Sequence, residues 1–166
     1  MKKIITMEHT SNDHPLDEAH AAAAKEYEEK LLHPDWVLVE KHFGVPMPQD
    51  LKDYYANPAK VLQEDFYLDT PIEVEGKKRI RVCFFSKIDK HSTEWTSDSR
   101  EGLEIFLDIA SDGGEGCYLI DPKEPDPEVH LFILDTWDLL PTGLKLSEFL
   151  SNPRLEEDLE DYDSIL

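Results

Sequence analysis

The chain has 166 residues, 40% hydrophobic and 33% charged, which suits one folded domain. Seven Phe, six Tyr and three Trp exclude global disorder. The 37 acids and 17 bases leave a net charge of −20. That disfavours nucleic acid and anionic membranes as partners and favours basic ones, with solubility alone as the plain alternative.

Residues 1–16 read as an irregular N-terminal segment, because Asp13 and Pro15 oppose a long element. No apolar run suits a signal peptide or a bilayer span, so the expected location is cytoplasmic. From Asp17 the run DEAHAAAAKEYEEKLL is rich in strong helix formers. Asp17 is its N-cap, Ala23, Tyr27 and Leu31 form its apolar stripe, and it ends before Pro34. A second helix starts after Asp35, with Trp36, Val39, Glu40 and Phe43 on one side and Gly44 at the left-handed C-terminal position. Pro48 opens a third helix, Gln49 to Ala56, whose apolar side is Leu51, Tyr54 and Tyr55. Asn57-Pro58 stops it, and Lys60 to Glu64 suggests a further helical turn.

The rest alternates with the two-residue period of strands. Pro71–Glu75 and Arg79–Phe85 read as two strands joined by the turn Glu75–Lys78. Ser86–Gly102 is a long polar loop holding Trp95. Leu103 to Asp121 is the strongest local signal, a hairpin in the middle of a sheet. Leu103, Ile105, Leu107 and Ile109 alternate with Glu104, Phe106, Asp108 and Ala110, Ser111–Gly114 turns the chain, and Cys117–Ile120 returns it. Val129–Thr136 is another apolar strand, and Trp137 follows it as a cover for the sheet edge. Leu144–Leu150 reads as the last helix. Helices, then strands with short connections, then one helix imply an α+β fold with a mainly antiparallel β-sheet, N-terminal helices and a C-terminal helix. Residues 17–155 form a single domain on this reading, and 156–166 an acidic C-terminal tail. Six of the eight residues Glu156–Asp163 are acids.

Few residues suggest reaction chemistry. Asp108, Asp112 and Glu115 flank a Gly-rich turn and could offer oxygen ligands to a hard cation, giving a metal-dependent enzyme. The spacing is not that of an EF-hand, and Asp and Gly belong in a hairpin turn anyway. A strand, not a helix, follows the glycines, so they do not form a phosphate loop. His9, His14 and His20 lack a zinc-ligand pattern, Ser111 lacks a nucleophile-elbow context, and His130 sits in an apolar strand as a structural residue. No cofactor is implied. Cys83 and Cys117 lie among apolar residues in separate strands and read as buried free thiols. Trp36 belongs to helix packing, whereas Trp95, in a loop, suits an interface anchor.

The order of these pieces is similar to the SMI1/KNR4, or SUKH, superfamily. Val39-Glu40-Lys41-His42-Phe43-Gly44, then Pro48 and Leu51–Tyr55, match its helix–Gly–Pro–helix opening. Ile105–Ala110, Asp112-Gly113-Gly114-Glu115-Gly116 and Cys117–Asp121 match its strand–turn–strand middle. Val129–Thr136 and Leu146–Leu150 match its closing strand and helix. The resemblance covers about residues 35–150; Asn57-Pro58 replaces the frequent Asn-Gly-Gly. It implies a SUKH-like fold and a non-enzymatic protein-binding role. That role is an immunity protein in a bacterial toxin–antitoxin system, neutralising a polymorphic toxin such as a nuclease, or else a regulatory scaffold. The expected partner is a basic toxin domain, without direct contact to nucleic acid or membrane. The partner-binding candidates are Trp95, Glu156, Glu157, Asp158, Glu160 and Asp161.

Overall fold

The computed structural model describes residues 18–93 and 102–156. Four helices lead the chain: α1 over residues 18–32, α2 (Trp36–Phe43), α3 (Gln49–Tyr55) and α4 (Pro58–Val61). Seven strands come next: β1 (Phe66–Val74), β2 (Lys77–Val82), β3 (Phe84–Phe85), β4 (Leu107–Ser111), β5 (Gly116–Ile120), β6 (Glu128–Ile133) and β7 (Asp138–Lys145). Helix α5 (Leu146–Ser151) comes last. All pairings are antiparallel: β1 with β2 in one ribbon, and β3-β4-β5-β6-β7 in a five-stranded sheet. The fold is therefore α+β, with the hairpin β4–β5 at the centre of its main sheet.

Local chemistry accounts for the helix ends. Asp35 accepts a hydrogen bond from Leu38 N–H at 3.1 Å, and Gly44 ends α2 at φ +76. Glu40 ties α2 to the bend after it and to α3. Its Oε2 accepts from Met47 N–H at 2.8 Å and lies 2.6 Å from Lys52 Nζ on α3. These contacts, the Lys52 hydrogen bond foremost, hold its carboxyl below the usual range. Glu40 thus acts as a structural clasp.

One face of the sheet carries the core. Val39 and Phe43 of α2, Leu51, Tyr54 and Tyr55 of α3, and Leu146 and Phe149 of α5 pack with Phe85, Leu107, Ile109, Tyr118, Ile120 and Leu131. Trp36 meets this core edge-on through Tyr55, with ring centroids 5.7 Å apart. Tyr27 and Leu31 of α1 join it, whereas Ala23 is exposed, so the stripe expected on α1 narrows to its C-terminal half. The opposite face holds a smaller cluster of Leu103, Phe106, Leu119 and Phe132, flanked by Cys117 and Leu139.

Several expected boundaries move. Leu103–Ile105 is a 3-10 turn rather than strand; Phe106 N–H bonds back to Leu103 O, and pairing begins at Leu107↔Ile120. The strand expected over 79–85 divides at Cys83, between β2 of the ribbon and β3 of the sheet. Side-chain parity changes there: Ile80 and Val82 are buried, then Phe85 is buried and Phe84 is not. Glu75 and Gly76, at φ +53 and +82, form a two-residue turn, so Lys77 and Lys78 belong to β2. Asn57-Pro58 ends α3 as expected and also opens α4, so the helical turn expected over Lys60–Glu64 lies earlier, at Pro58–Val61. β7 has no counterpart among the expected strands, because Pro141 and Gly143 oppose strand. It is an edge strand, where Pro is tolerated, and a Cβ on Gly143 (φ +78) would stand 2.8 Å from Pro71 Cγ of β1. Trp137 therefore lies in the β6–β7 turn rather than after the last strand. Among the described residues no helix is long and apolar enough to cross a membrane.

Candidate protein-interaction surface

Of the candidate contact residues, Trp95, Glu157, Asp158, Glu160 and Asp161 lie outside the described residues. Glu156 is described and exposed. The chain just before it is tied down. Leu155 and Tyr67 of β1 exchange both backbone hydrogen bonds, at 2.8 and 2.9 Å. Arg154 stacks its guanidinium over Phe66 at 4.4 Å and Tyr54 at 5.1 Å. It donates to Lys60 O at 3.0 Å, to Gln63 Oε1 at 2.6 Å, and to the Tyr54 hydroxyl. The acidic run thus begins at the outer edge of β1. Sequence reasoning missed this anchor; its only signal was a single Arg between Pro153 and a long acidic run.

The Gly-rich turn is built by its own side chains. Asp112 Oδ1 accepts from Gly114 N–H at 2.8 Å and Gly116 N–H at 2.9 Å. Gly113, at φ +87, passes so close to Cys83 that a Cβ would stand 2.9 Å from the Cys83 Cβ. Asp108 points elsewhere, accepting from Ser86 Oγ at 2.9 Å and from Ala110 N–H across the irregularity in β4 pairing. Burial pushes its carboxyl up to about 6, against the two hydrogen bonds. Asp108 and Asp112 therefore serve separate backbone features, and among the described residues no group of three His, Cys, Asp or Glu converges as a metal site.

Asp108 lines an open cleft of about 450 Å³ beside β3, with Tyr27, Phe84, Ser86, Lys87, Asp89, His91 and Ser92. Of its lining residues Tyr27 donates to Phe85 O at 2.9 Å, and Tyr55, buried in the core, donates to Ser86 O at 2.6 Å. The Tyr27 bond occupies the Phe85 carbonyl of the two-residue edge strand β3, which limits strand addition there. A carboxyl near 6 could take part in proton transfer, but its partners here are a serine hydroxyl and the β4 backbone. That pattern is explained by holding β4 to β3.

His130 is half-buried against Phe106, with ring centroids 5.8 Å apart, and its enclosed Nδ1 has no hydrogen-bond partner among the described residues. His20 is exposed on α1; His9 and His14 lie outside the described residues. Cys83 and Cys117 are free and half-buried, and burial raises both thiols above the usual range. Ser111 separates them: its carbonyl accepts from Cys83 N–H, and it pairs with Cys117. Two strand spacings, roughly 9.6 Å, exceed disulfide reach.

Comparison with protein-family models, curated proteins and solved structures finds no match.

Proposed function

We propose that this chain is a non-enzymatic protein-binding module of SMI1/KNR4 (SUKH) type, acting as a cytoplasmic immunity protein against a bacterial toxin domain with a basic surface. The order of sequence pieces that resembles that superfamily supports the family reading. The net charge of −20 carries the partner reading. Acids that meet a surface evolved for phosphate would block the toxin's substrate and speed association. Two free cysteines suit a reducing compartment.

The test uses the toxin domain from a reading frame beside the gene. Its association with the full chain is measured by surface binding kinetics across a salt series. A second chain carries Glu156→Gln, Glu157→Gln, Asp158→Asn, Glu160→Gln and Asp161→Asn. Charges beyond about 8 Å are screened at physiological salt, so salt should slow association more than it speeds dissociation. The five-fold variant should associate about tenfold more slowly at low salt, with the fold intact. Equal on-rates and equal salt slopes would remove the tail from the binding surface.

A further inference from the structure

The turns after β4 and after β6 lie side by side at one end of the main sheet. β5 pairs with both strands, and Leu134 N–H donates to Glu115 O at 2.8 Å. The β6–β7 turn spans residues 134–137 and closes with Trp137 N–H on Ile133 O at 2.7 Å. Trp137 sits at φ +62, a left-handed conformation normally left to Gly or Asn. A bulky ring is therefore held where the backbone disfavours it. Trp137 is 44% exposed, and Leu134, which opens the same turn, is 55% exposed.

The surroundings are acidic. Glu115 and Asp135 are exposed in these two turns and Asp138 at the start of β7, and no Lys or Arg occurs between Lys123 and Lys145. On the other side of the neighbouring turn, Lys77, Arg79 and Arg81 of β2 line a cleft with Asp112 and Gly114. Asp69 engages Arg79 at 2.9 Å and Asp65 engages Arg81 at 2.6 Å, so the acidic surface is the side formed by Glu115, Asp135 and Asp138. Behind the tip, Leu139 pairs with Phe132, which belongs to the apolar cluster on the sheet's second face. Leu134 and Trp137 thus extend from a packed base.

We propose that this paired hairpin tip is a docking surface for a basic polypeptide carrying apolar side chains between its lysines or arginines. The proposal rests on the binding-module reading above and names where the partner sits and what it presents. Trp is the residue type most often found at the energetic centre of interfaces, and a ring of acids suits encounter with cations. A second copy of the chain would bring another −20 of charge and is repelled.

The full-length, isotope-labelled chain is titrated with a short peptide of alternating Lys and Leu, and with a control of alternating Lys and Ser, while amide shifts are followed. The Lys–Leu peptide should bind about tenfold tighter than the control and shift amides centred on residues 113–116 and 133–139. Leu134→Asn with Trp137→Asn should remove that advantage and leave control binding unchanged. The unfolding midpoint of this variant should not fall, because Asn accepts the left-handed conformation. Shifts centred elsewhere, or Lys–Leu affinity unchanged in the variant, would overturn the tip and leave the acidic-module reading standing. Self-association of the wild type that the variant abolishes would make a second copy the occupant and overturn the proposal. Failure of both peptides to bind would overturn both readings.

Discussion

Replacing Asp108 by Asn should make the protein more stable at neutral pH and no more stable in acid. Burial raises the Asp108 carboxyl from 3.8 to about 6. At about 1.4 kcal/mol per pH unit, its ionisation then costs the folded state roughly 3 kcal/mol more than the unfolded chain. The sign is set by proton binding. Between pH 3.8 and about 6 the folded protein holds the proton more tightly than the unfolded one, so stability from this group is full below 3.8 and lost as pH rises through 6. Asn removes the charge and keeps one acceptor oxygen. Ser86 Oγ and Ala110 N–H both donate here, so one of the two bonds is weakened, at about 1–2 kcal/mol. The net expectation is a gain of about 1–2 kcal/mol at pH 7.5, shrinking to zero or a small loss near pH 4. A domain of this size should show it as a rise of about 2–8 °C in unfolding midpoint. Urea unfolding of both proteins from pH 4 to 7.5 measures the difference. The comparison cancels the general effect of the other acids, which both chains share. A difference constant across that range would refute a buried, reluctant carboxylate at position 108.

Two further substitutions probe backbone and anchor. Arg154→Ala should cost about 2 kcal/mol in chemical denaturation, since it removes stacking on Tyr54 and Phe66 together with bonds to Lys60 O and Gln63. Arg154→Lys should recover only part of that, because an ammonium cannot reproduce the planar fork. Gly113→Ala should destabilise by about 2–3 kcal/mol, through left-handed strain and overlap with Cys83. Gly114→Ala, whose nearest neighbour would be Asp112 Oδ1 at 3.7 Å, should stay within about 0.5–1 kcal/mol in the same chemical denaturation.

What the sequence by itself determined about this protein is what short-range chemistry decides. Asp35 and Gly44 bracket α2 because a cap and a left-handed stop act within a few residues. The Asp112–Gly116 turn is legible because its carboxylate bonds only to its own loop, and β4, β5 and β6 show as short apolar runs because the sheet is buried on both faces. The excess of acids was equally plain. Only the tertiary structure decided which long-range partner each segment takes. Nothing local in Val82-Cys83-Phe84 shows that one side joins the ribbon and the other the main sheet. The alternation at Leu103 and Ile105 continues past the last residue with a pairing partner. Pro141 and Gly143 argue against strand until β7 is seen on an edge, crossed closely by β1. The same holds for the surface. Arg154 becomes an anchor only when Tyr54 and Phe66, about 90 to 100 residues earlier, are brought beneath it. Leu134 and Glu115 become neighbours only because β5 and β6 pair, a contact set by burial on both faces of the sheet rather than by any adjacent residue.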